Sequence, residues 1–562
     1  MFGFLIRNNF KNNWLLYLVI VIGFILRVIG VEFGKPFRYH PDEMKLVWQA
    51  GHLLDYHSWS KETLFLIGVY PPFFTYVLAI AFALYRLLMV IIGQFPSIAA
   101  IKEIYYVYPF QFHLIGRWIS ILAGTATIPL LYWVGKKLYG KLTGLLSAAF
   151  LAVIFFHVRT SHFATVDVFV TFLTMVSFAF SVAILEKNDV KYYIGAGVFA
   201  GLAAATKFNA GIVVLPLIIS HFFSYFSNST VDWKTFFLKI VIAGVVTLAV
   251  FLIACPMPLL DFKEFWGGIV GTVRFESIGK LGSGGSFWSY FTGDQSPGYG
   301  FFHFNTLPKG LGWPIVLLFC IGTIILLIRH KKQDFVILVF PIVLYLLVGR
   351  LNYKALRHLM MAIPFFLIIS AETLRILTHK FDKRAGLPIA IILFGIGIVI
   401  PQIQKSLSYD LAMQETDTRT IAKDWIESNI PAGAKIGVDE FSPPLLSRLD
   451  LNLKLISKSP YYRHVYDEYG LVPRMFAHGK QRTADHNPTE YILNNGIEYL
   501  VLDSFSRAKY RWKYTVKKYP KVANDRKMFY RWVKENCELL RRFRPQNQFD
   551  IHPEIEIYRV RR

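Results

Sequence analysis

Long apolar segments separated by short polar connectors recur along most of the 562-residue chain. A helix needs about 20 apolar residues to cross the hydrocarbon core, so this pattern predicts a polytopic α-helical membrane protein. No internal repeat or low-complexity segment interrupts it. Twelve apolar windows cover residues 14–31, 72–93, 112–134, 142–157, 163–185, 192–206, 208–226, 236–254, 311–328, 335–349, 359–376 and 386–402.

Connectors rich in lysine and arginine indicate which windows cross. "KKLYGK" at 136–141, "EKNDVK" at 186–191, "RHKK" at 329–332 and "HKFDKR" at 379–384 should be cytoplasmic under the positive-inside rule. With the basic N-terminus also inside, they share the cytoplasmic side only if 72–93 does not cross. We therefore predict about eleven transmembrane helices, with 72–93 lying in the outer interface or re-entering it. An ordinary span with an atypical charge pattern is the alternative.

The residues after 402 are more polar, and their apolar positions form short runs. "DTRTIAKDWIESNI" predicts a helix with Asp417 as its N-cap. "PAGAKIGV", "IEYLVLD" and "EIEIYRV" predict a turn and short strands. We expect a membrane domain at 1–402 and an α/β domain at 403–562, on the extracytoplasmic side. The glycine- and aromatic-rich loop at 255–310, also outside, is either a lid or an irregular interface loop.

Composition narrows the class of protein. The chain is 54% hydrophobic with a net charge of +24, and its mean hydropathy is +0.41. A basic membrane protein is expected to contact anionic lipids. Nucleic-acid binding is not expected, because no basic patch with interleaved aromatics stands apart from the spans. The three cysteines show neither metal-ligand nor disulfide spacing.

Two acidic clusters lie where the topology places outer loops. His40, Asp42 and Glu43 closely follow the first window, and Asp167 follows Arg159 and His162 in "HVRTSHFATVDVF". Acids this close to hydrocarbon are costly unless they are paired, bind a metal or line a wet cavity. Both clusters are therefore candidate functional sites. The alternatives are helix-start acids for the first cluster and an Asp167–Arg159 packing pair for the second.

Cations cluster on the same outer side. "RLNYKALRHLMMAIPF" carries Lys354, Arg357 and His358, and Lys207 lies between two short apolar windows. Basic residues outside run against the positive-inside trend, and a phosphate group would compensate them. Lys207 could instead extend its ammonium to the interface.

Together these residues favour group transfer from a membrane-borne phosphate ester. A carboxylate can act as general base, and cations can neutralise the departing phosphate. The chain contains no GxxxxGK[ST] motif for a competing nucleotide site.

Six segments occur along the chain in this order: "RYHPDE", "YPPFFTYVLA", "GRWISILAGTATIPLLYWVGKKLYG", "RTSHFATVDVFVTF", "GLAAATKFNAGIVVLP" and "ALRHLMMAIPFFLI". Together they resemble the GT-C glycosyltransferases that use polyprenyl-phosphate sugars. The similarity is to the branch of protein O-mannosyltransferases and lipid A aminoarabinose transferases, over about residues 10–375. The WWD motif of oligosaccharyltransferases is absent, which counts against N-glycan transfer.

The resemblance assigns expected roles. It implies a catalytic acid at Asp42 with Glu43 beside it, a second acid at Asp167, and a donor-phosphate contact at Arg357. It also implies interfacial helices in the first outer loop and a terminal α/β domain. Lys354, His358 and Lys207 are further phosphate candidates, and His40, Arg159 and His162 are acceptor or auxiliary candidates. Metal dependence varies in the superfamily, and Asp42, Asp167 and His40 could hold a divalent cation.

The resulting expectation is an integral-membrane, inverting glycosyltransferase in a prokaryotic plasma membrane. It would pass a sugar from a polyprenyl-phosphate donor to a glycan, lipid or protein acceptor on the outer face. A lipid or polysaccharide transporter is one alternative, although paired inverted repeats are not evident. A non-catalytic scaffold for glycan assembly is another.

Overall fold

The computed structural model describes residues 10–37, 39–55, 71–98, 110–226, 231–278, 286–292, 306–385, 389–439, 441, 443, 445, 452–455, 488–547, 549 and 551–561. The glycine-rich stretch that suggested a lid lies largely outside these residues.

The membrane domain is helical. Its α-helices are α1 (Phe10–Val28), α2 (Pro41–Asp55), α3 (Phe73–Ile91), α4 (Phe110–Tyr139), α5 (Lys141–Val153), α6 (Phe155–Ser161), α7 (Val166–Glu186), α8 (Val190–Ala204), α9 (Val214–Tyr225), α10 (Trp233–Ala254), α11 (Met257–Leu260), α12 (Phe262–Ile278), α13 (Ser289–Thr292), α14 (Leu307–Leu311), α15 (Trp313–Arg329), α16 (Lys332–Val348), α17 (Ile363–Ala385) and α18 (Ile389–Ala412). Two 3-10 helices, Phe208–Val213 and Leu356–Ala362, precede α9 and α17.

Six helical segments of the described residues are long and apolar enough to cross a membrane, or seven if the bent pair α5 and α6 forms one span. The bend at that break is 55°. Three further apolar helices are shorter, within α1, α8 and α15. The six segments include α3, which the sequence-based number of about eleven crossings left out. That number is higher because it counted these three shorter helices, the 17-residue α16, and α18 as well. This number of long apolar helices is that of an integral membrane protein.

Three of the four basic connections predicted to share one side meet at one end of the bundle, which we call the connector end. Lys137, at the end of α4, forms an ion pair with Glu186 at the end of α7, at 2.8 Å. Tyr139 donates a hydrogen bond to Asp334 at 2.8 Å, and Arg329 pairs with the same carboxylate. These contacts join the α4–α5, α7–α8 and α15–α16 connections.

Helix α3 contains the window whose crossing was in question. Its first amide, of Phe73, donates to the carbonyl of Ala205 at 3.0 Å. Farther along, Phe82 packs edge-on against Phe112, in the first turn of α4, with centroids 5.0 Å apart. Helix α3 therefore lies beside the end of the bundle opposite the connector end, which we call the α2 end. This placement supports a non-crossing α3, although its length and hydropathy would allow a span.

The C-terminal domain has the predicted α/β character. Its elements are α19 (Thr418–Asn429), β1 (Lys435–Val438), β2 (Asn452–Leu455), α20 (Pro488–Asn494), β3 (Tyr499–Asp503), α21 (Ser504–Arg511), α22 (Lys513–Lys518), α23 (Pro520–Asn536), β4 (Cys537–Phe543) and β5 (Ile555–Val560). The sheet order is β2-β1-β3-β5-β4, with β1 parallel to β2 and β3, and β5 antiparallel to β3 and β4. The three strands predicted from the sequence correspond to β1, β3 and β5.

Alternating side chains divide the sheet into two buried faces. On β3, Tyr499 and Val501 join the core formed with α19, while Leu500 and Leu502 join the core formed with α20 and α23. This alternation produces helix, sheet and helix layers. Helix α18 continues through the predicted boundary at 402/403 and ends at Ala412, so one helix connects the two domains directly.

Candidate active site

The first acidic cluster begins a helix, as its sequence allows. Proline is compatible with the first helical position, and acids in the first turn interact favourably with the helix dipole. Helix α2 begins at Pro41 and carries Asp42 and Glu43 in its first turn. Asp42 forms an ion pair with Nη1 of Arg357, and its side chain remains 43% exposed. The proposed base and the proposed phosphate ligand are therefore in direct contact.

The second acid is held by a different cation. Helix α7 begins at Val166, so Asp167 lies in its first turn. Its Oδ1 lies 2.9 Å from Nζ of Lys207. The alternative pair with Arg159 is not formed, since Nε of Arg159 donates to the hydroxyl of Tyr409 at 3.2 Å.

One lysine connects the two acidic positions. Besides pairing with Asp167, the ammonium of Lys207 lies 3.4 Å from the backbone carbonyl of Arg357. The order of contacts is Asp42, Arg357, Lys207, Asp167. Two carboxylates and two cations from four separate segments thus meet at the α2 end. We call these four residues the acidic group. An anion entering this group would compete with the carboxylates for the same two cations.

Glu43 is placed differently from its neighbour. Its side chain is fully buried, and Arg117 of α4 donates to both of its oxygens at 2.9 Å. Glu43 also accepts a hydrogen bond from the amide of Ala164 at 2.7 Å. Burial alone would raise the pKa of Glu43, but the charge and hydrogen bonds of Arg117 outweigh it and lower the pKa. The expectation of a catalytic Glu43 is replaced by a positioning role, because its oxygens are occupied.

His40 lies beside this pair, close to α2. Its ring stacks on Phe163 with centroids 4.2 Å apart and an interplanar angle of 25°. Burial lowers the pKa of His40 to about 4, against the opposing effect of the nearby Glu43 and Asp42. The ring is therefore neutral near pH 7.

Lys354 and His358 are buried rather than directed at a phosphate. Nζ of Lys354 donates to the carbonyls of Gly349, at 2.9 Å, and Leu351. Burial lowers the pKa of Lys354. The ring of His358 packs edge-on against Tyr353 at 5.6 Å. The expected phosphate contact from Lys354 is thus corrected to a loop-stabilising one, since its ammonium satisfies backbone carbonyls.

Arg159 and His162, the auxiliary candidates, contact the segment that leads to the C-terminal domain. Arg159 donates to Tyr409 of α18. Nε2 of His162 lies 2.7 Å from the carbonyl of Ile29 and 3.5 Å from Oδ1 of Asp410. Their described contacts join the ends of α1 and α6 to α18, which indicates that they stabilise the packing of these helices.

Two buried arginines were missed in the sequence, although each is a charged residue within an apolar window. Arg117 also donates from Nη1 to the carbonyls of Val31, at 2.7 Å, and Phe33, at 2.9 Å. Arg27 of α1 donates to the carbonyls of Leu151 and Ala152, each at 3.0 Å, near the end of α5. An arginine in a span is costly unless paired, so this position alone could have identified both.

The possible metal ligands do not form a ready site. Among the described residues, no group of three or more histidine, cysteine, aspartate or glutamate side chains could hold a metal ion. Asp42 and Asp167 each face a cation instead. As placed here, Asp42, Asp167 and His40 are not grouped as ligands of one ion.

Comparisons with known proteins agree with this architecture. Residues 110–256 match the family model described as dolichyl-phosphate-mannose-protein mannosyltransferase. That range contains α4 to α10, including Arg117, Asp167 and Lys207. No curated protein sequence matches the chain.

Solved structures cover nearly the whole chain at low sequence identity. ArnT from Cupriavidus metallidurans bound to undecaprenyl phosphate is similar over 97% of this chain and 98% of its own, with a TM-score of 0.54 and 10% identity. The oligosaccharyltransferase AglB from Archaeoglobus fulgidus, in complex with an inhibitory peptide and a dolichol-phosphate, is similar over 90% of this chain and 72% of its own. Its TM-score is 0.52 at 12% identity. The resemblance drawn from the sequence motifs is confirmed, and the chain has the GT-C membrane fold with a small C-terminal sheet domain.

Proposed function

We propose that this protein is an inverting glycosyltransferase that moves a sugar from a polyprenyl-phosphate donor to an acceptor hydroxyl or amine. The observation that carries the proposal is the contact series Asp42, Arg357, Lys207, Asp167. It combines a partly exposed carboxylate, suited to proton transfer, with two cations suited to a phosphate. The similar fold of ArnT bound to undecaprenyl phosphate supports this class of donor.

The donor phosphate would enter between the two cations. Arg357 offers a planar fork that matches phosphate oxygens, and Lys207 offers a compact charge. When Arg357 turns to the phosphate, its ion pair with Asp42 weakens. Donor binding would therefore make the carboxylate a better base, and the acceptor would be activated most when a donor is present.

The transfer itself is a single displacement. The acceptor oxygen or nitrogen forms a bond to the anomeric carbon while the bond from that carbon to the phosphate oxygen breaks. Asp42 takes the proton of the acceptor, and the polyprenyl phosphate leaves with the electron pair. Arg357 and Lys207 stabilise the negative charge that develops on the leaving group. Attack opposite the leaving group inverts the anomeric configuration.

Asp167 would keep Lys207 in place and contribute to acceptor binding. Its side chain is mostly buried, while that of Lys207 is 17% exposed. A carboxylate here holds the ammonium toward Arg357, so Lys207 stays available to the phosphate. No step of this mechanism is assigned to a metal ion, since the acids face cations.

The reaction would take place on the outer face of a prokaryotic plasma membrane. The acidic group and the C-terminal domain share the α2 end, and the basic connections share the opposite end. Under the positive-inside rule, the connector end faces the cytoplasm. The domain division at about residues 402 and 403 would then separate a catalytic membrane domain from an extracytoplasmic α/β domain.

Transfer from purified donors tests this function. The purified protein in detergent or liposomes is incubated with polyprenyl-phosphate hexoses and pentoses and a panel of peptide, lipid and glycan acceptors. The expected result is release of polyprenyl phosphate together with an acceptor product of inverted configuration, lost in Asp42→Asn. Equal turnover by wild type and Asp42→Asn, or product retaining the donor configuration, would contradict the mechanism.

A further inference from the structure

The loop that leads into α2 is contacted by residues of both domains. From the membrane domain, Arg117 holds the carbonyls of Val31 and Phe33. From the C-terminal domain, the ring of His552 stacks on Phe33, with centroids 5.8 Å apart and an interplanar angle of 18°. Nζ of Lys423 lies 5.3 Å from the ring centre of Phe37. The loop is thus the contact point of both domains.

The closest of these contacts involves Tyr39, next to His40. The guanidinium carbon of Arg419 lies 3.8 Å from the ring centre of Tyr39, and both side chains are almost fully buried. The hydroxyl of Tyr39 is hydrogen-bonded to Oγ1 of Thr420 at 2.7 Å. A desolvated arginine stacked on a tyrosine is among the stronger forms of cation–π contact.

Arg419 is itself held rigidly. Asp417 accepts from Nε of Arg419 at 2.8 Å and from Nη2 at 2.6 Å, which is a bidentate pair. Nδ1 of His552 lies 2.8 Å from the same carboxylate. Asp417 also caps α19 by accepting from the amide of Arg419. The guanidinium plane is therefore fixed relative to the C-terminal domain before it meets Tyr39.

The contact continues directly to the acidic group. Tyr39 and Phe163 belong to one buried cluster with Phe33 and Tyr409. His40 stacks on Phe163, and α2 with Asp42 begins one residue after His40. A displacement of Tyr39 would move the start of α2, because Tyr39 and Asp42 are only three residues apart.

We propose that Arg419 of the C-terminal domain is a positioning residue of the active site, which holds Tyr39 and thereby the place of Asp42 relative to Arg357. This inference rests on the proposed transferase function. It assigns the C-terminal domain a direct part in the geometry of the reaction, in addition to any role in acceptor contact. Misplacement of a reacting group by about 1 Å can cost about 100-fold in rate.

Two variants separate this role from simple folding. Arg419→Gln removes the cation over Tyr39, and Tyr39→Leu removes the ring while leaving Arg419 paired with Asp417. In full-length protein, each should lower kcat by about 10- to 100-fold while donor KM changes by less than about threefold. Arg419→Lys should recover part of kcat, since lysine can lie over the ring but lacks the fork that pairs with Asp417.

Amide hydrogen exchange over residues 31–46 gives a readout that does not depend on activity. Measured at a temperature at which every variant is folded, exchange at the start of α2 should be faster in Arg419→Gln and in Tyr39→Leu than in wild type, and faster there than in the rest of the membrane domain. Arg542→Gln is the matched control, because Arg542 pairs with Glu554 and Glu556 in the same domain. It should leave both exchange and kcat as in wild type.

The outcomes distinguish this inference from the proposed function. A wild-type protein without transfer activity would reject the function, and the exchange experiment would still test the contact. Wild-type exchange and kcat in Tyr39→Leu would overturn the inference while leaving the function standing. If Arg419→Gln does not fold, Tyr39→Leu and Arg419→Lys still decide the question.

Discussion

Arg357 and Asp42 form an ion pair although 315 residues separate them in the chain. Arg357 lies in the short 3-10 helix before α17, and Asp42 lies in the first turn of α2. The pair joins the earliest and the latest functional segments of the membrane domain. It also implies a competition, because the same guanidinium cannot fully serve a carboxylate and a phosphate.

The first prediction concerns this competition. Arg357→Ala should raise the apparent KM for the polyprenyl-phosphate sugar, and Arg357→Lys should restore it only in part, because lysine lacks the planar fork. Steady-state kinetics at varied donor concentration provide the measurement. Arg350→Ala is the control, since Arg350 is exposed in the preceding loop. Wild-type donor KM in both Arg357 variants would remove Arg357 from the phosphate site.

A second prediction concerns the base. Asp42→Asn keeps the size of the side chain but cannot accept the proton, so transfer should fall by about 100- to 10,000-fold. Its thermal midpoint should stay close to wild type, because the carboxylate is half-exposed and its ion pair contributes little to stability. Single-turnover transfer measures the first effect and a thermal melt the second.

Glu264→Gln is a suitable control for that experiment, because Glu264 is an exposed acid in the first turn of α12. It should show wild-type transfer. Near-normal turnover by folded Asp42→Asn would instead show that this acid serves the helix start, and the base would have to be sought elsewhere.

The third prediction is that Glu43 contributes far more to the stability of the protein than its neighbour Asp42. Glu43→Gln leaves the buried charge of Arg117 without its carboxylate, which should destabilise the protein by about 3–5 kcal/mol. Chemical or thermal unfolding in detergent measures the loss. Glu32→Gln is the matched control, since Glu32 forms an exposed ion pair with Lys35 at 3.0 Å. That variant should differ from wild type by less than about 1 kcal/mol.

A fourth prediction concerns pH and His40. Its pKa is about 4 in the folded protein and about 6.5 in an unfolded chain. Between these values the unfolded chain binds a proton that the folded protein does not, so the free energy of unfolding falls as the pH drops through this window. The contribution is complete above about pH 6.5, and its loss reaches about 3 kcal/mol near pH 4.

Thermal midpoints measured across that window for wild type and His40→Gln provide the test. The variant should show a shallower decline toward acid, because the neutral amide has no proton to bind. An identical slope in both proteins would show that the ring is protonated in the folded state.

The fifth prediction concerns topology. In a cysteine-free background, cysteines at Lys137 and Lys331, both exposed at the connector end, should resist a membrane-impermeant reagent added to intact cells. A cysteine at the exposed Lys435 of β1 should react. A permeant reagent labels all three and serves as the control. The reverse labelling pattern would place the acidic group on the cytoplasmic side of the membrane.

The sequence by itself determined the helical membrane architecture and the strands of the terminal domain. Both follow from local physics: a long apolar segment satisfies its backbone only as a helix in lipid, and alternation predicts a half-buried strand. It also marked Asp42, Asp167, Arg357 and Lys207 as candidates, because a charged residue near hydrocarbon needs a partner whatever the details of the fold. The placement of basic connectors also predicts that 72–93 does not cross, which stays a prediction.

Only the tertiary structure decided which partner each charge has. Asp42 and Glu43 are adjacent and chemically alike. Asp42 nevertheless pairs with Arg357 at a partly exposed site, whereas Glu43 is fully buried in its ion pair with Arg117. Lys354 carried the same signal as Arg357, but its ammonium turns to loop carbonyls. The contact of Arg419 with Tyr39 crosses two domains. Such pairings depend on how distant segments pack, and neither periodicity nor local charge encodes them.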